Sequence, residues 1–113
     1  MLFVGNRSFL LVKPKKPLVD WVNGYDESKI SEETILAHKT LYMVENLETD
    51  LASEKEGIIK RNCKKIFEHE LKQWSTDKKH FPKKLSFEYF NEWFEYEFIE
   101  MCFDTLHDEI ILE

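Results

Sequence analysis

The sequence predicts an α+β fold: a small sheet of two to three short strands packed against two long antiparallel helices, plus a short helix. Three observations carry that expectation. Residues 7–13 and 40–45 are short runs of β-forming side chains bounded by proline or polar residues. Ile59, Cys63, Ile66, Phe67, Leu71 and Trp74 recur at helical spacing, which predicts a helix over 53–74. The stretch "FEYFNEWFEYEFIEMCF", 87–103, places Phe87, Phe90, Phe94, Phe98, Met101 and Cys102 on one helical arc, which predicts a second long helix over 86–107. With 113 residues and 42% hydrophobic content, the chain suits a single domain, 1–113, that buries roughly two thirds of its unfolded surface.

In chain order, the strand over 7–13 ends at Pro14, which has no N–H for a ladder. Lys13 and Lys16 each precede a proline, so "KPKKP" reads as a stiff, extended, basic connector. Pro17 suits a first helical turn, Leu18, Trp21 and Val22 share a face, and Asn23-Gly24 supplies a stop, predicting a short helix over 17–23. "DESKISEETILAHK" adds one or two helical turns around 31–38. The strand over 40–45, "TLYMVE", follows a connection long enough to allow either a parallel or an antiparallel pair. The 53–74 helix starts near Asp50 or Ser53, where Ser53 and Glu56 have capping-box spacing, and Gly57 costs it up to about 1 kcal/mol relative to alanine. After the basic loop "STDKKHFPKK", the last helix opens at Ser86, with Leu85 and Phe90 placed as a hydrophobic staple. The tail "EIILE" is a strand or a frayed end.

Read as a helix, 87–103 has no continuous polar face. Tyr89, Trp93, Tyr96 and Phe103 fall opposite the core arc, interrupted mainly by Glu100. Aromatic side chains with polar tips suit a half-buried surface. Three covers present themselves: the short helix around Trp21, the second face of the 53–74 helix with its loop, or a second copy of the chain. The four residues are therefore a candidate interface, and a homodimer or another protein the candidate partner.

Composition narrows the function classes. Residues 1–5 lack a basic start and an apolar stretch of about 7–15 residues, so no signal peptide is expected. No run is long enough to span a bilayer. Cys63 and Cys102 are isolated and form no C-x-x-C pair, which points to free thiols in a reducing cytoplasm. The net charge of −6 is uneven: residues 85–113 carry −9 with no lysine or arginine, whereas 50–84 carry +4. Such a chain repels nucleic acid overall, and the simplest expectation is that the two charged segments face each other.

Motifs for chemistry are sparse. Glu97, Glu100 and Asp104 fall along one edge of the predicted last helix, an arrangement that can hold a divalent cation or raise one carboxyl's pKa, and that otherwise is a solvated acidic face. "FEHELKQW" fails the H-E-x-x-H pattern because Gln73 stands where the second histidine belongs. Cys63 and His69 point to different faces of one helix, so no Cys–His nucleophile pair forms between them. With Gly5, Gly24 and Gly57 its only glycines, the chain has no phosphate-cradling loop. The lysines of 78–84 surround only Phe81, which is a poor platform for single-stranded nucleic acid. Trp21, His69, Trp74, Glu97, Glu100 and Asp104 remain as a candidate polar pocket. No catalytic residue, metal ligand set or cofactor is assigned.

Asn6-Arg7, "KPKKPLVDW", "IFEHELKQW", Asp77, Phe81-Pro82 and the F-N-E-W-F-x-x-E pattern from Phe90 to Glu97, with Asp104 beyond, together resemble a group of short, uncharacterised bacterial proteins of unknown function. Tryptophan commonly stands in that group where Phe81 stands here. The resemblance covers most of the chain, implies a bacterial, cytoplasmic protein in one intact domain, and brings no activity with it. Aromatic residues outnumber catalytic groups on the assigned faces, so the expectation is a small non-enzymatic binding or regulatory module acting through protein–protein contacts. The alternative is a small enzyme or divalent-metal-binding protein using the carboxylates of the last helix.

Overall fold

Seven residues, Ser8–Pro14, form the central strand (β2) of a three-stranded antiparallel sheet. The computed structural model describes residues 1–25 and 29–113. β1 (Leu2–Phe3) precedes β2. Helices α1 (Lys16–Tyr25) and α2 (Glu32–Leu36) follow, then β3 (Thr40–Val44) and the long helix α3 (Ala52–Lys72). A 3-10 turn (Lys78–His80), α4 (Phe87–Trp93), β4 (Phe94–Ile99) and β5 (Phe103–Asp104) complete the chain. The fold is α+β, with the main sheet ordered β3-β2-β4 and a two-stranded sheet pairing β1 with β5.

Register decides which side chains enter the core. Ser8, Leu10 and Val12 lie opposite Val44, Tyr42 and Thr40 of β3, and Leu10, Val12 and Pro14 lie opposite Phe98, Tyr96 and Phe94 of β4. Because side chains alternate along strands, these residues share one face, and α3 packs over it. Leu10, Val12 and Val44 of the sheet join Ile58, Ile59, Cys63, Ile66, Phe67 and Leu71 of α3 in one buried cluster. Leu18, Val19 and Val22 of α1, Ile35 of α2, Phe90 and Phe94 complete it. Each fully buried Leu, Ile or Phe contributes about 1.5–3 kcal/mol of transfer free energy. On the opposite sheet face Phe9 is also fully buried, whereas Leu41 and Met43 stand in solvent.

The second long helix does not form. The chain leaves α-helix at Phe94, whose φ of −133° and ψ of 145° are extended, and continues as β4. The sequence "FEYEFI" alternates aromatic and acidic residues with a period of two, and aromatic side chains favour strands. Pairing with β2 along the whole of β4 outweighs the local helical pattern. A distant residue closes the helix: Lys15 donates its backbone N–H to the Trp93 carbonyl at 2.8 Å and its ammonium to the Asn91 carbonyl at 2.7 Å. These contacts satisfy carbonyls that a helix end leaves open. The pair of long antiparallel helices is therefore replaced by one long helix, α3, and a third strand. β2 and β3 pair antiparallel, which settles the direction left open by their connection.

Two caps also differ from expectation. Ser86 accepts the Tyr89 N–H at 3.2 Å and starts α4 as predicted. At α3 the N-cap is Leu51, and Ser53 and Glu56 form no capping box. Instead the Glu54 carboxylate reaches back to the N–H groups of Glu48 at 2.6 Å and Thr49 at 3.2 Å, while Glu56 pairs with Lys60 at 3.6 Å. Asn23-Gly24 does not end α1. The Asn23 amide accepts the Ile30 N–H at 2.8 Å and donates to the Ile30 carbonyl at 3.0 Å, fastening the chain beyond the helix.

The basic segment 50–84 and the acidic segment 85–113 do face each other, α3 packing on α4 with Phe67 6.1 Å from Phe90 and the Lys60 ammonium 5.2 Å from the Phe87 ring. Among the described residues no ion pair joins the basic segment 50–84 to the acidic segment 85–113. The pairs formed are Lys13–Glu97, Lys16 with Asp20 and Glu32, Lys60–Glu56, and Arg61–Glu45.

Candidate functional site

Among the described residues β3 pairs only with β2, so its outer edge presents backbone N–H and C=O groups that can accept another strand. A groove of about 490 Å³ runs beside it. Its wall on the sheet side is the consecutive run Tyr42, Met43, Val44 and Glu45; on the helix side it is Asn62, Lys65 and Ile66 of α3, and Arg7 stands at one end. Consecutive strand residues along one wall mean that the groove follows the strand edge.

The groove's electrostatics come from α3. Asn62, buried in the helix, donates its amide to Glu45 Oε1 at 2.9 Å, and Arg61 Nε donates to Glu45 Oε2 at 3.1 Å. The Asn62 hydrogen bond, helped by Arg61, holds the Glu45 carboxyl below its ordinary pKa. Glu45 is thereby engaged, whereas neither Arg7 nor Lys65 has a carboxylate partner among the described residues. The groove thus combines apolar side chains, Met43, Val44 and Ile66, with the cations of Arg7 and Lys65.

Behind it lies a polar cluster. The Tyr42 hydroxyl is 2.9 Å from His69 Nδ1, and Thr40 Oγ1 donates to Glu70 Oε2 at 3.3 Å. Glu70 is almost fully buried, and burial raises its pKa against the lowering effect of the Tyr42 and Thr40 hydroxyls. Burial, reinforced by the Glu70 carboxylate, pushes the Tyr42 hydroxyl upward as well. The cluster joins sheet to helix. The Cys63 thiol, pushed up by burial, donates to the Lys60 carbonyl at 3.6 Å and is a weak nucleophile.

The four candidate interface residues lie on three elements, α4, β4 and β5, instead of one helix. Tyr89 is exposed on α4. Trp93 packs into the core against Phe67 at 5.4 Å and Trp21 at 6.2 Å. Tyr96 stacks on Phe90 at 5.4 Å and donates its hydroxyl to Asn91 Oδ1. Phe103, on β5, packs against Phe3 at 5.4 Å. The uncovered aromatic face exists only if helical geometry is extended past Trp93, where the chain is strand.

The candidate polar pocket is dispersed too. Trp21 donates its indole N–H to the His80 carbonyl at 2.6 Å, and Trp74 packs on His38 at 4.7 Å. His69 belongs to the Tyr42 cluster. Glu97 lies on the opposite sheet face, 4.0 Å from Lys13, Glu100 is exposed beyond β4, and Asp104 accepts the Leu106 N–H at 2.9 Å. With no helix over 94–104, the three carboxylates cannot line one helical edge. Among the described residues no group of three His, Cys, Asp or Glu side chains is placed to hold a metal ion.

A wider cleft of about 640 Å³ lies where the 46–50 loop meets residues 98–101. Its walls are the loop, Ser8 and the last two residues of the other edge strand, Phe98 and Ile99 of β4, so it meets only the end of that strand and does not run along it. Arg7, Tyr42, Glu45, Asn62 and Lys65 line the groove without belonging to any sequence motif that carries chemistry. The available signal was "TLYMVE" itself, where Leu41 and Met43 put apolar side chains on the face opposite Tyr42 and Val44. No helix among the described residues is long and apolar enough to cross a membrane. No family model, curated protein or solved structure matches the chain.

Proposed function

We propose that this protein is a non-enzymatic binding module that acts through protein–protein contacts, taking an extended peptide segment into the groove along β3 by strand addition. The observation that carries the reading is the coincidence of a free strand edge with a groove walled by the last three residues of that strand, by Glu45 directly after it, and by α3. In such recognition, backbone hydrogen bonds supply affinity and alternate side chains supply selectivity. Arg7 and Lys65 favour an acidic segment, and Ile66, Val44 and the Tyr42 ring favour apolar side chains between its charges. A cytoplasmic setting accompanies the reading and suits the two free thiols.

Amide NMR on the isotopically labelled chain tests the proposal, with a panel of acidic, isoleucine- and valine-rich hexapeptides as probes. The expected result is slowed hydrogen exchange and shifted resonances at residues 40–45, weakened by Lys65→Glu. Shifts centred on Glu70 and His69, or none along β3, would overturn it.

A further inference from the structure

We propose that the segment seated in this groove is residues 108–113 of a second copy of the chain, so that two molecules exchange tails. The inference rests on the strand-addition reading above. Ile110, Ile111 and Leu112 are 59%, 82% and 88% exposed. Three consecutive large aliphatic residues in open solvent are unusual, and as a strand they would need cover on both faces. The edge of β3 offers both. Ile110 and Leu112 would enter the groove beside Ile66, and Ile111 would meet the opposite sheet face, where Leu41 and Met43 are 50% and 58% exposed.

Charge agrees with this pairing. The tail brings Asp108, Glu109 and Glu113, with no lysine or arginine after residue 84. The groove holds Arg7 and Lys65 without carboxylate partners among the described residues. The opposite charges of 50–84 and 85–113, which form no ion pair with each other among the described residues, would pair between chains.

Area points to a second copy. The chain exposes 8105 Å², whereas a compact protein of 13.7 kDa exposes roughly 6,600 Å². Its radius of gyration is 15.8 Å, against roughly 13 Å for a compact domain of this length. An excess of roughly 1,500 Å² on each of two chains falls within the range buried by obligate dimers. A symmetric exchange buries the same surfaces twice and closes.

Sedimentation and light scattering on the full chain from 1 to 200 μM are the test. The expected mass rises toward twice 13.7 kDa, and falls back as salt is added. Ile111→Asp in the tail and Arg7→Glu with Lys65→Glu in the groove alter exposed residues, and each variant should weaken the dimer about tenfold or more. Mixing the tail variant with the groove variant should restore a heterodimer, because one intact tail then meets one intact groove. A monomer at 200 μM, or a dimer indifferent to both variants, would overturn the exchange. The hexapeptide panel applied to Ile111→Asp separates the two readings: peptide binding along β3 in a chain whose parent is monomeric leaves strand addition standing and removes the second copy as occupant.

Discussion

Glu70 illustrates how a single residue sets a condition on the fold. Its carboxyl sits between Thr40 and Tyr42 under α3, and burial raises its pKa above the ordinary 4.5. Folding therefore favours the protonated form. The resulting destabilisation is fully present above the folded-state pKa and disappears as pH falls below the unfolded value. Glu70→Gln keeps an acceptor for Thr40 without the charge, so melting curves should show the variant a few degrees more stable at pH 8, with the advantage gone at pH 4. Glu45 acts in the opposite sense. Its lowered pKa contributes stability above the unfolded value that is lost as pH falls through the folded one. The split of the aromatic stripe is testable at the same scale. Trp93→Ala removes packing against Phe67 and Trp21 and should cost about 2–4 kcal/mol in urea unfolding, whereas Tyr89→Ala, at an exposed position, should fall within about 0.5 kcal/mol.

Among the elements, α3 is the one whose interior breaks a local rule. Gly57 has no positive φ, and a Cβ built there meets only the tip of the Arg61 side chain at 3.4 Å. That tip can swing aside, so Gly57→Ala should stabilise the protein by about 0.5–1 kcal/mol in a denaturant titration, through the reduced freedom of the unfolded chain. α3 was also the most legible element, because its apolar stripe persists over four turns and no other period competes with it. β2, β3 and α1 were legible for similar reasons, each bounded by proline or a polar break. The junction at Phe94 was not. Phe87, Phe90, Phe94 and Phe98 satisfy a helical period, while Phe94, Tyr96 and Phe98 satisfy a strand period, and local sequence cannot choose between them. The choice is made by β2, 80 to 90 residues away along the chain in the pairs from Pro14–Phe94 to Phe9–Ile99, and by Lys15 at the end of α4. The groove beside β3 was illegible for a related reason: an edge strand looks like any other strand until its neighbours are known.

At the scale of the whole molecule, the ends of the chain do different work. β4 completes the sheet beside β2 and brings Phe94, Tyr96 and Phe98 onto the core face. A chain ending at Trp93 would leave β2 with one neighbour and strip aromatic cover from the buried cluster. A two-stranded sheet is marginal in water, so this truncation should lack a cooperative melting transition by circular dichroism. Residues 105–113 are exposed throughout and form no regular structure. A chain ending at Asp104 keeps β5 paired to β1 and every residue of the core cluster. It should melt cooperatively, with a midpoint close to that of the intact chain when both are measured as monomers at low concentration. At high concentration the two should diverge, because only the intact chain can gain stability by mass action from association. A concentration-dependent melting temperature in the intact chain, absent from the chain ending at Asp104, would place the association in the tail. Equal concentration dependence in both would place it elsewhere on the surface.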